Sequence, residues 1–142
     1  MTLHYKVSTR IPRPVEEAFD HVVEPALLSS YFTSDASGPL EAGKKVRWTW
    51  AGGESETLEV GAVERNRRIE FRWKAGYVDV VTTVVIAFAP DGPEACTVTI
   101  EESGWPDAEG DNARSAFEQC AGWQRMLLCM KARMKFGVDL RG

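Results

Sequence analysis

At 142 residues, with a net charge of -4, a pI near 5.3 and lysines and arginines scattered along it, the chain is sized for one domain with a core of its own. It carries no electrostatic footprint for nucleic acid, and an anionic membrane surface is disfavoured on the same ground. The opening MTLHYKVSTR has no apolar signal core and the longest apolar run, 84–89, is too short to span a bilayer, so a cytoplasmic protein with no membrane partner is expected.

Alternation over 3–11 sets Leu3, Tyr5, Val7, Thr9 and Ile11 on one side of a half-buried strand. Pro12 ends it. Pro14, the acids Glu16 and Glu17, and the apolar set Val15, Ala18, Phe19, Val22 and Val23 describe a short amphipathic helix. Pro25 interrupts that helix and starts a second, predicted over 26–32. The segment 33–43 is turn-rich and reads mostly as loop.

Five strand-like runs follow. Val46, Trp48 and Trp50 share a face over 45–51, and Gly52-Gly53 signals a hairpin into 54–64. Asn66 ends that run; Ile69, Phe71 and Trp73 then alternate with Glu70, Arg72 and Lys74, and Gly76 marks a turn. Over 80–89, Val80, Thr82, Val84, Ile86 and Phe88 share a face, and Pro90-Asp91-Gly92-Pro93 turns the chain into 96–103 with Val98 and Ile100 inward. Gly104-Trp105-Pro106 is expected to break this last strand. The five runs read as an antiparallel meander.

The terminal segment 113–137 is one long helix, on which Ala116, Cys120, Trp123, Leu127, Met130 and Met134 recur at steps of three and four. Arg114, Glu118, Arg125 and Arg133 fall opposite, and Gly137 closes the helix. Phe117, Ala121 and Leu128 form a second apolar edge, expected to pack against the two short helices or to form a homodimer contact. A strand, two short helices, a run of strands and one long helix make an α+β domain over 1–142, in which a curved antiparallel sheet wraps the helix.

The sequence also resembles a known family, on several pieces in a fixed order. These are Arg10-Ile11-Pro12-Arg13-Pro14-Val15-Glu16-Glu17-Ala18-Phe19, Pro25-Ala26-Leu27-Leu28 running to Tyr31-Phe32, Arg68-Ile69-Glu70-Phe71-Arg72-Trp73, Glu102-Ser103-Gly104-Trp105, and Gly122-Trp123 followed by Leu127-Leu128 and Lys131. Together they are similar to the START-like, birch-pollen-allergen-like helix-grip superfamily (SRPBCC). Within it they resemble bacterial single-domain proteins like the activator of the heat-shock protein 90 ATPase. The resemblance implies the helix-grip fold and an apolar pocket. It also admits lipid carriage, a co-chaperone role with a chaperone partner, or polyketide cyclase-like activity. Tyr31 stands where many relatives carry tryptophan, at one wall of that pocket.

Large rings at inward positions can leave a cavity at the open end of such a fold. The candidate lining is Trp48, Trp50, Phe71, Trp73, Ile86, Phe88, Glu102, Trp105, Trp123, Leu127 and Met130, and the leading expectation is non-enzymatic binding of a small apolar molecule. Glu102 is the best candidate for a base or polar anchor, since the parity of Val98 and Ile100 carries it inward; alternatively the strand ends first and Glu102 meets solvent or an arginine. Thr82, Ser103 and Tyr77 are further polar candidates, and Arg65, Arg67 and Arg68 a candidate contact for an acidic partner. No nucleophile–base constellation is present. The two histidines, His4 and His21, lack neighbours at ligand spacing, and Cys96, Cys120 and Cys129 form no C-x-x-C pair, so neither metal nor cofactor is expected and the thiols read as reduced.

Overall fold

A computed structural model describes residues 2–141. Strand β1 (Leu3–Ile11) leads through Pro14 into helix α1 (Val15–Val23) and the single turn α2 (Pro25–Leu28). Strand β2 (Asp35–Ala36) and the strands β3 (Lys45–Thr49), β4 (Ser55–Glu64), β5 (Arg68–Lys74), β6 (Val81–Pro90) and β7 (Cys96–Trp105) follow, and helix α3 (Gly110–Phe136) ends the fold. All seven strands form one antiparallel sheet in the order β1-β7-β6-β5-β4-β3-β2, so the meander closes on the first strand, which pairs along its whole length with β7.

The turns follow local chemistry. Asn66 at φ 62 reverses the chain between β4 and β5, a conformation asparagine tolerates better than most residues. The register of β4 against β5 slips between Val60 and Val63, a bulge that bends the sheet. Inward residues of β3 to β7 form the concave face, including Val46, Trp48, Leu58, Ile69, Phe71, Val84, Ile86, Val98 and Ile100, all buried. Phe19 of α1 closes the lower end edge-on to Phe88, with ring centroids 5.3 Å apart. The hydroxyl of Tyr31 donates to the carbonyl of His21, which ties the segment after α2 back to α1.

Helix α3 lies in the sheet's grip. Its 27 residues, about 40 Å at the α-helical rise, end at Gly137, whose φ of 69 is the left-handed cap. The buried side chains are Ser115, Ala116, Trp123, Met126, Leu127, Cys129 and Met130. This helix-grip arrangement matches the sequence expectation, with four differences. The second helix is one turn, after which the backbone passes through tight turns to Phe32, so the predicted 26–32 helix is shortened. Strand β7 does not break at Gly104 but runs through Trp105, because Gly104 adopts φ 121 and lies close against β6. The buried face of α3 is rotated toward Met126 and Cys129, leaving Cys120 and Met134 only partly covered. Phe117, Ala121 and Leu128 do not pack on α1 or α2: all three are exposed, Phe117 at 72% and Leu128 at 50%, because the short helices cover the other end of the sheet. No helix among the described residues is long and apolar enough to cross a membrane.

Candidate functional site

Two inward-facing carboxyl groups sit toward the two lateral ends of the sheet, Glu102 on β7 beside β1 and Glu56 on β4 beside β3. The first is Glu102 on β7. Its parity with Val98 and Ile100 holds to the strand's end, and the side chain is fully buried. Tyr5 lies directly opposite on β1, and Thr82 and Trp73 come from β6 and β5, where they pair with each other. Five donors converge on this group. Oε1 accepts from the Tyr5 hydroxyl at 2.5 Å and the Trp123 indole at 2.9 Å. Oε2 accepts from the Thr82 hydroxyl at 2.6 Å, the Trp73 indole at 3.0 Å and, more weakly, the Gln119 amide at 3.4 Å. No cation pairs with Glu102 among the described residues. Neutral hydrogen bonds therefore replace the water that its burial removes. The Tyr5 phenol is pushed far above its ordinary value, first by burial and then by the adjacent Glu102, and it acts as a donor.

The hub holds the indoles of Trp73 and Trp123, from sheet and helix, stacked with centroids 5.2 Å apart and planes 23° from parallel. Phe32 is 6.1 Å from Trp123 and 5.5 Å from Trp50, and Trp50 is 6.4 Å from Trp73, so four rings close a circuit. This circuit is the floor of an open cavity of about 620 Å³. Tyr31, Met126 and Cys129 complete its apolar wall, and Glu54, Ser55, Glu56, Lys74, Gln119 and Arg125 contribute polar groups at its margin. Arg141 closes one side, donating to the carbonyls of Thr33 and Ser29 at 2.9 Å each while pairing with Asp139. The volume lies within the usual range of small-molecule sites, roughly 300–1,000 Å³.

The second carboxyl belongs to Glu56, which shares the inward parity of Leu58 and Val60 and sits opposite Trp48 of β3. It lines the cavity, half-buried, with no hydrogen-bond or ion-pair partner among the described residues. Burial holds its carboxyl above the usual carboxylate range, and the charge of Lys74 partly offsets this.

Of the lining residues expected from sequence, Trp50, Trp73 and Trp123 reach the cavity. Trp48, Phe71, Ile86, Phe88, Leu127 and Met130 are instead buried in the core. Trp105 sits apart, in a small cluster with Ala75, Val78 and Ala116, its indole donating to Ser115 at 3.1 Å. Glu102 lies behind the indoles rather than on the cavity surface, and the alternative of solvent or an arginine does not apply because β7 continues past it. Thr82 serves Glu102, whereas Tyr77 is 52% exposed. Arg65, Arg67 and Arg68 pair with Asp20, Glu64 and Glu70 of the same chain. Sequence reasoning missed Tyr5, Gln119, Phe32 and Glu56 as site residues; strand parity carried the signal for Tyr5 and Glu56.

The sequence model of the family described as activator of Hsp90 ATPase homolog 1-like protein matches residues 12–135. No match to a curated protein was found. Among solved structures, the protein SSP2350 from Staphylococcus saprophyticus superposes with a TM-score of 0.82 at 23% identity, over 99% of this chain and 97% of that one. DynU16, from the dynemicin biosynthetic locus, gives a TM-score of 0.82 at 27% identity over 94% of this chain and 48% of its own length. The Aha1 dimer from Colwellia psychrerythraea, a solution structure, gives 0.76 at 16% identity over 95% and 98%.

Proposed function

The chain belongs to the activator of Hsp90 ATPase homolog 1-like family, and we propose that within it this domain binds a small, flat, largely apolar molecule in the open cavity between sheet and α3. The observation that carries this reading is the four-ring floor. Phe32, Trp50, Trp73 and Trp123 turn aromatic surface toward a space of ligand size, and two of them are held in place by Glu102 from behind. Such a surface attracts a planar ring by stacking and by removal of apolar area from water. Glu102 acts through the indoles: with its oxygens occupied by donors and its side chain off the cavity surface, it positions Trp73 and Trp123 rather than touching the ligand. A cytoplasmic setting, where Cys96, Cys120 and Cys129 stay free thiols, suits the same reading.

The test is titration with 9-anthracenemethanol while following tryptophan emission. Saturable quenching at micromolar concentration, abolished in Trp123→Ala, is the expected result; absence of any response from the wild-type protein contradicts the reading.

A second reading, a protein-interaction module, draws on the exposed apolar residues Phe117 and Leu128 and on the dimeric relative. It predicts either self-association in sedimentation velocity or stimulation of the host's own heat-shock protein 90 ATPase. A monomer that neither binds nor stimulates that chaperone dismisses it. A third, cyclase-like catalysis, could not use Glu102 as its base, since the indoles of Trp73 and Trp123 screen it from the cavity surface.

A further inference from the structure

We propose that the cavity selects ligands carrying a protonated amine, which Glu56 receives at the margin of the aromatic floor. The proposal rests on the binding reading above and names the ligand's chemical class.

Strand parity turns Glu56 inward with Leu58 and Val60, on a concave face whose other polar groups, Thr82 and Glu102, are buried and hydrogen-bonded to each other. Glu56 has no such partner. Its half-buried carboxylate has lost part of its water without gaining a partner, and its raised pKa reflects that loss. A ligand cation would restore what burial removed, through a charge-assisted hydrogen bond. The rings favour the same ligand. Aromatic faces carry negative potential, and the tryptophans Trp50, Trp73 and Trp123, with Phe32, floor the cavity that Glu56 borders.

The other charges of the cavity do not take this role. Lys74 lies on β5 with the outward parity of Arg72 and forms no ion pair with Glu56 within 4.0 Å. Arg141 is committed to Asp139 and to the carbonyls of Ser29 and Thr33. Arg125, on α3, is exposed, and Glu54, in the turn between β3 and β4, is exposed too and keeps its water. An amine entering over the floor therefore meets Glu56 as the acceptor that faces inward.

Three probes of one shape decide the matter at neutral pH: 9-(aminomethyl)anthracene, 9-anthracenemethanol and 9-anthracenecarboxylic acid. The amine is expected to bind at least about fivefold tighter than the alcohol, and the acid weaker than both. Glu56→Gln, a substitution at a half-exposed site, keeps alcohol affinity and reduces the amine preference to within about twofold. Lys74→Ala, which removes the cation whose charge offsets the burial of Glu56, widens the preference. Equal binding of amine and alcohol by the wild-type protein, or a preference that survives in Glu56→Gln, overturns the proposal while leaving the binding reading intact. Failure of all three probes to bind overturns both.

Discussion

The Glu102 end and the Glu56 end of the grip are built from the same materials, an inward carboxyl beside tryptophans, yet they differ in what surrounds the acid. At Glu102 five donors and complete burial leave nothing for a ligand to do, and the group organises the fold. At Glu56 half-burial without a partner leaves a chemical vacancy beside an open cavity. Polar groups inside a protein stabilise when they are satisfied and serve recognition when they are not. Trp73 and Trp123 join the two ends: their indole N–H groups belong to the Glu102 hub, and their rings to the cavity floor.

That division separates stability from binding. The largest effect is expected from Glu102→Ala, which strands the Tyr5 and Thr82 hydroxyls and two buried indoles; urea denaturation should show a loss on the order of 3–5 kcal/mol. A loss under about 1 kcal/mol would mean that the hub is not structural. Trp50→Ala removes one ring of the floor while leaving every Glu102 donor in place. Anthracene-probe affinity should fall about tenfold, for a stability cost of only about 1–2 kcal/mol.

How far these ends were legible in sequence follows from the same contrast. Period-two alternation fixes which side of a strand a residue takes, so the inward direction of Glu102 and of Thr82 could be read from Val98, Ile100, Val84 and Ile86. What alternation cannot give is where the strand stops. Gly104-Trp105-Pro106 looks like a break, but the absence of a Cβ lets Gly104 lie against β6, where an added Cβ would come within 3.2 Å of the Val81 carbonyl oxygen. Helical periodicity likewise marked Phe117 and Leu128 as an apolar edge but not what covers it. Which rings bury fully, as Trp48 and Phe71 do, and which stay partly open as cavity floor, as Trp50 does, depends on the curvature of the whole sheet.

A smaller effect is expected from pH. Burial raises the phenols of Tyr5 and Tyr31 above the ordinary value near 10, so the folded state keeps its protons where the unfolded chain loses them. Their contribution is complete below pH ~10 and is lost as pH rises beyond it. Stability should fall on the alkaline side, and Tyr5→Phe should flatten that fall in part, since Tyr31 and the buried Cys96 thiol, raised in the same direction, remain; an unchanged slope would show that the Tyr5 phenol is not buried against Glu102. The smallest effect belongs to Leu128→Ser on the exposed face of α3, expected to stay within about 0.5 kcal/mol by thermal denaturation.

The most direct measurement is an NMR titration that follows the indole N–H signals of all five tryptophans while 9-anthracenemethanol is added. The two-ended grip predicts ring-current shifts at Trp50, Trp73 and Trp123, no shift at Trp105, and slow hydrogen exchange at Trp73 and Trp123 that persists when the cavity is filled. Shifts confined to Trp105, or rapid exchange at Trp73 and Trp123, would contradict it.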